Sequence, residues 1–141
     1  MARKSTNDLQ HQLMNAPDLS RFLSEHREEF VQEEFSVLLQ ELFQRSGMSK
    51  AALAKKSGMS EVYLHQIFSG LRNPSRNRII CLCFGLNAAV EETQELLKRS
   101  GNAPLYTRNR RDAIVLYALQ NGMALDELND RLFSEKEKTL Y

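Results

Sequence analysis

The residues best placed to do chemistry in this chain lie between Ser49 and Leu86. Lys50, Lys55, Lys56, Arg72, Arg76 and Arg78 supply six cations there, and Glu61 is the single carboxylate. Positive charge packed this densely suits a polyanionic partner and does not by itself build a reaction centre. Elsewhere the reactive residue types lack catalytic spacing. Serine, histidine and aspartate fall in no triad order, and the chain has no GxGxxG, GxxxxGK[ST] or CxxC pattern. His11, His26 and His65 are scattered with no Cys/His ligand spacing, so neither a metal nor a cofactor is expected. Cys81 and Cys83 stand two positions apart, which on a helix sets them about 200° apart. They read as reduced thiols in a core. Glu28, Glu29, Glu33 and Glu34 read as a solvated helix face. The expectation is a chain that is not an enzyme.

Charge distribution sharpens this. The net charge of +1 conceals −3 over residues 1–48, +5 over 49–86 and −1 over 87–141. Apolar residues make up 42% of the 141 residues and charged ones 26%, a balance that excludes general disorder and a membrane bundle. No apolar run approaches about 18 residues, and no apolar segment follows the first charges, so a cytoplasmic address is expected.

The elements that must position the basic stretch are helical. Apolar residues recur at helical spacing almost throughout, and glycine and proline fall at breaks, which predicts an all-α fold. Asn15-Ala16-Pro17-Asp18 reads as a turn before a short helix with Leu19, Phe22 and Leu23 inward. Glu28–Glu34 leads into a longer helix whose Phe35, Leu38, Leu39, Leu42 and Phe43 form a buried stripe, ended by Gly47. Ser49, Ser60 and the loop before Ser75 open three more helices, with Leu53, Ala54, Leu64, Ile67, Ile79, Ile80, Cys83 and Phe84 inward. Another helix over about 90–100 buries Leu96 and Leu97, and Gly101 to Pro104 breaks it.

The tail repeats what precedes it. At an offset of 35, residues 76–106 and 111–141 share Arg76/Arg111, Ile79/Ile114, Ala89/Ala124, Glu92/Glu127, Leu97/Leu132, Leu105/Leu140 and Tyr106/Tyr141. The repeat predicts helices near 110–121 and 124–134 with Ile114, Tyr117, Ala118, Leu125, Leu128 and Leu132 inward, and Tyr106 and Tyr141 as anchors. Arg108 to Asp112 reads as a capped, solvated helix start, the sharper option being a second phosphate or acidic-partner contact. Three segments follow: a helical extension over 1–34, a central domain over 35–100 and a helix pair over 101–141.

The central stretch is a capped helix, a turn with Gly58, a second capped helix and a basic loop. A helix start favours an anion, one helix fits the major groove, and arginines beyond it can hold the sugar–phosphate rail. Ser49-Lys50-Ala51-Ala52-Leu53-Ala54, Ser57-Gly58-Met59-Ser60, Leu64, Ile67, Gly70 and Arg72-Asn73-Pro74-Ser75 resemble the Xre/Cro family of phage-repressor-like helix-turn-helix domains over about residues 36–86. The Gln66–Gly70 segment and the Leu-Tyr endings also look like bacterial members with a helical extension.

The resemblance implies a sequence-specific regulator of transcription that binds double-stranded DNA as a homodimer. Its base-facing positions would be Glu61, Val62, Tyr63, His65 and Gln66, and its phosphate-facing ones Ser49, Lys50, Ser60, Arg72, Asn73, Ser75, Arg76 and Arg78. Gln66 has the shape to read an adenine edge, and Glu61 could accept from cytosine. Lys50 replaces a glutamine common in the family. Phe68 stands where the family usually has an acid, and is expected to pack on the N-terminal extension or to meet a partner. The competing expectation is a protein-interaction adaptor that keeps the helix-turn-helix as a scaffold, with Val62, Tyr63, His65 and Phe68 in its surface. A protein partner for the C-terminal helices also belongs among the expectations.

Overall fold

The structure, a computed structural model, describes residues 5–27 and 31–141. The described residues form nine α-helices and no strand: α1 (Thr6–Met14), α2 (Leu19–Glu25), α3 (Val31–Ser46), α4 (Lys50–Lys56), α5 (Glu61–Phe68), α6 (Arg76–Leu86), α7 (Val90–Arg99), α8 (Arg110–Gln120) and α9 (Leu125–Ser134). The all-α expectation holds. Glu28, Glu29 and Phe30, and the side chain of Glu33, lie outside what is described, and with them the reading of that acidic run.

Local chemistry sets most boundaries. Ser49, Ser60 and Ser75 each turn a side-chain oxygen onto a backbone N–H two or three positions into the helix they precede, accepting from Ala52, Tyr63 and Arg78 at 3.1, 3.1 and 3.3 Å. Asp18 caps α2 in the same way. Gly47, at φ +69°, follows α3 as expected. Between α4 and α5, Gly58 adopts φ +64° while the Tyr141 ring lies against it, so that a methyl group there would sit 2.7 Å from Cε1 of the ring.

Helices α3 to α7 enclose Leu39, Leu53, Leu64, Ile79, Ile80, Leu82, Leu96 and Leu97. The α3 stripe is inward as expected, with Phe35, Leu39 and Leu42 buried and Leu38 and Phe43 at its margin. Arg45 of α3 pairs with Glu92 of α7 at 2.6 Å, and Glu92 also accepts from the Ala89 N–H at 2.8 Å. The core continues without a break into α8 and α9 through Leu105, Val115, Ala118, Leu125, Leu128, Leu132 and Leu140. Cys81 and Cys83 are free and buried within it. Desolvation pushes their thiols up to about 11 and about 12.

The two C-terminal helix pairs repeat one geometry. Asn87 and Gly122 both have positive φ, as do Gly101 and Lys136. The bond from Ala88 N–H to Cys83 recurs from Met123 to Ala118, and that from Asn102 to Leu97 recurs from Glu137 to Leu132. A side-chain amide holds each Leu-Tyr segment: Gln94 accepts from the Leu105 N–H at 2.7 Å, and Asn129 from the Leu140 N–H at 2.8 Å. Each of these correspondences has the 35-residue offset of the sequence repeat.

Several inward assignments fail for one reason: amphipathic spacing does not say which face finds a neighbour. Leu19 and Leu23 are exposed, and only Phe22 of α2 is buried, stacked on His26. The principal helix packing among the described residues lies within the run from α3 to α9. On α8, Val115 and Ala118 face the core and Tyr117 faces out. Tyr106 is exposed; Tyr141, though half exposed, lays its ring against Gly58 and donates its hydroxyl to Asp126, and the leucines before both tyrosines are buried. The basic run at 108–112 is not simply solvated. Asn109 caps α8, Arg110 pairs with Glu135 and Glu137, and Arg111 donates to the carbonyls of Lys138 and Thr139.

Two measurements check this packing. Gly58→Ala should lose about 1–2 kcal/mol in urea unfolding, from the positive φ and the crowded ring. Because both thiols are held neutral in the folded chain, their contribution is complete below about pH 9 and declines as the unfolded thiols ionise above it. Unfolding free energy should therefore fall by roughly 1 kcal/mol per thiol for each unit above pH 9, and Cys81→Ala together with Cys83→Ala should flatten that limb.

Candidate nucleic-acid interface

Helix α5 has two faces. Leu64 and Ile67 are buried against the core, and Glu61, Val62 and His65 point to solvent, Val62 at 68% exposure. Tyr63 and Gln66 lie half-buried along its flank. Glu61 and His65 are one turn apart with Oε1 and Nε2 3.7 Å from each other. This arrangement lets the acid be offset locally when the imidazole is protonated.

The basic residues gather around Tyr63 and Gln66. The guanidinium carbons of Arg72 and Arg78 lie 5.8 and 5.4 Å from the Tyr63 ring centroid. Arg72 Nε donates to Gln66 Oε1 at 2.9 Å, and the N–H groups of Leu71 and Arg72 donate to the Gln66 carbonyl. Arg78 also reaches the Gly58 carbonyl at 3.5 Å. On the opposite flank, Lys50 Nζ stands 5.1 Å from the Phe68 ring centroid, and Phe68 meets Phe43 edge-on at 5.0 Å. Phe68 therefore packs within the central helices rather than on the N-terminal extension. Lys50, Val62, His65, Gln66 and Leu71 line one shallow groove.

Three hydroxyls expected at phosphates, those of Ser49, Ser60 and Ser75, accept capping bonds; their O–H protons are still available to an acceptor. Asn73 is exposed in the loop. Arg76 departs from expectation. Its Nε donates to the Ala103 carbonyl at 2.9 Å, and Nη2 to that of Pro104 at 3.2 Å. The same guanidinium grips both oxygens of Asp112 at 3.0 and 3.3 Å. The two side chains are 26% and 9% exposed, and Asp112 also accepts from the Tyr106 N–H. Arg76 is a strut from α6 to the C-terminal pair. Its charge type matched a phosphate contact, but an acid 36 residues away in sequence claims it.

Residue type did not reveal Leu71, which is 79% exposed beside Gln66. An unsheltered leucine inside a basic loop was the available signal. The Gln66–Arg72 bond was equally hidden, since both residues read as independent contacts.

The geometry is that of two short helices joined by a glycine turn, the second exposed along one face. Residues 34–96 are a helix-turn-helix domain. That stretch matches the family described as helix-turn-helix domain, and it runs from α3 into α7. The chain matches no curated protein and no solved structure. Among the described residues, no helix is long and apolar enough to cross a membrane.

The strut gives a prediction that separates it from the face. Asp112→Ala, which strands a half-buried cation, should lower unfolding free energy by roughly 2–4 kcal/mol in urea, and Arg72→Ala should change it by less than about 0.5 kcal/mol.

Proposed function

We propose that the chain is a sequence-specific DNA-binding regulator of the Xre/Cro type, cytoplasmic, with α5 in the major groove of duplex DNA. What supports this reading is that Lys50 lines one groove with Gln66, while Arg72 donates to Gln66 and stands with Arg78 beside the Tyr63 ring. The major groove of duplex DNA is wide enough for one helix.

In this reading Val62 meets a thymine methyl, and Gln66 reads one base. With its Oε1 held by Arg72, the Gln66 amide NH₂ is the group left for a base edge, where it can donate to a purine N7, a guanine O6 or a thymine O4. Tyr63, His65 and Glu61 flank it. Lys50, Arg72, Asn73 and Arg78 hold phosphates, assisted by the hydroxyls of Ser49, Ser60 and Ser75. Arg76 serves the fold. Two copies would occupy half-sites roughly 34 Å apart.

Anisotropy titrations of full-length protein with labelled duplexes between 50 and 200 mM salt test this. Affinity should fall steeply with salt, and Arg72→Ala should weaken binding to every sequence and reduce the log–log slope by about one. Gln66→Ala should instead relax preference at one base pair of a selected site, by less than the roughly 1–3 kcal/mol of a bidentate contact. Affinity unchanged in both variants would refute the docking face.

A further inference from the structure

The strut made by Arg76 is built twice, and the second copy lacks its acid. At the 35-residue offset Arg76 corresponds to Arg111, Ala103 to Lys138 and Pro104 to Thr139. Arg76 Nε donates to the Ala103 carbonyl at 2.9 Å, and Arg111 Nε to that of Lys138 at 2.7 Å. Nη2 reaches the Pro104 carbonyl in one and that of Thr139 in the other, at 3.2 Å in both. The remaining partners are exchanged crosswise. Arg76 grips Asp112, the residue after Arg111. Arg111 grips Asn77, the residue after Arg76, with Nη1 and Nη2 both 3.3 Å from Oδ1. One arginine thus meets a carboxylate and the other a neutral amide.

The difference leaves charge unbalanced. Arg111 is half-buried, and its three acceptors are uncharged oxygens, so a cation is held in place with no carboxylate on it. The two acids of the same hollow are already taken, Asp112 by Arg76 and Glu137 by Arg110 at 3.1 Å. Lys138 also lines that hollow, is exposed, and makes no ion pair among the described residues. Because Arg111 occupies Oδ1 of Asn77, the amide NH₂ is the half of that side chain left to donate. A fixed guanidinium, an unpaired ammonium and an amide NH₂ suit a phosphate.

The location of the cluster selects the source of that phosphate. Asn77 lies in the first turn of α6 between Arg76 and Arg78, and Arg78 stands over the Tyr63 ring of α5. Arg78 and Arg111 both pull the Cys81 thiol down against its burial, so the two cations flank the same side of α6. From Lys138 the chain runs three residues to Tyr141, whose ring rests on Gly58 in the turn before α5. Three residues span at most roughly 10 Å, which keeps the cluster beside the helix-turn-helix.

We propose that Arg111, Lys138 and Asn77 form a second phosphate clamp, supplied largely by the C-terminal repeat, on the backbone of the same duplex that α5 enters. The identity of the polyanion rests on the DNA reading; the unbalanced charge does not. The footprint on DNA then extends past the helix-turn-helix domain at 34–96.

Anisotropy of full-length protein on labelled duplexes between 50 and 200 mM salt, with urea unfolding alongside, is the test. Asn77→Asp gives Arg111 the acid that Arg76 already has. Unfolding free energy should hold or rise, since an acid also suits a first helical turn, while affinity for duplex falls about three- to tenfold. Lys138→Ala should lower the log–log salt slope by about one and leave unfolding unchanged. Lys98→Ala, which removes the same unit of charge from α7, should change neither. Wild-type affinity and slope in both clamp variants, with binding still weakened by Arg72→Ala, would overturn the clamp and keep the DNA reading. Weakened binding in both clamp variants, with Arg72→Ala and Gln66→Ala indifferent, would keep the clamp and sink α5 as the reading helix. No duplex binding by wild type at 50 mM salt would overturn both.

Discussion

An eight-residue helix does not persist alone in water, and α5 is eight residues long. It exists because Leu64 and Ile67 are clamped into a core built by α3, α4, α6 and α7, and because Ser60 satisfies an N–H at its first turn. That constraint has a consequence for function. A helix held by one face only must show the other, and here the shown face carries Glu61, Val62 and His65 with Gln66 at its edge. Leu64 contributes about 1.5–3 kcal/mol by its burial, so the free side can be chosen for its partner without weakening the helix.

The surrounding charges are arranged by the same economy of contacts. Tyr63 offers one ring to two guanidinium groups, which places Arg72 and Arg78 beside α5. Arg76 takes the opposite course. Its pairing with Asp112 and with two carbonyls fixes the angle between α6 and the loop that leads to α8. The tail then returns through Leu140 and rests the Tyr141 ring on Gly58, while Tyr141 Oη donates to Asp126 at 2.8 Å. The C-terminal pair therefore touches the turn that positions α5, and the repeat is part of the helix-turn-helix scaffold rather than a separate body beside it.

Much of this was legible in the sequence. Serine caps, the Gly47 stop and the apolar stripes of α3 to α7 depend on neighbours within a few residues, and local spacing reports them well. The 35-residue offset reported the repeat, because the same capping and amide contacts need the same residues twice. What stayed hidden depends on distant pairing. Nothing local says that Arg76 meets Asp112, that Gln66 is held by Arg72, or that Gly58 lies under Tyr141. Nor does periodicity say whether a stripe has a partner, which is why Leu19, Leu23 and Tyr117 read as core and stand in solvent.

The central claim is that the uncovered side of α5 enters duplex DNA. Hydrogen exchange of the full chain, alone and with a pool of random-sequence duplexes at low salt, tests it most directly. The account predicts slowed exchange across Ser60 to Phe68 and in the Gly70 to Asn73 loop, with the outer face of α8 unchanged by the DNA itself. Protection confined to other helices, or none at any duplex concentration, would contradict it.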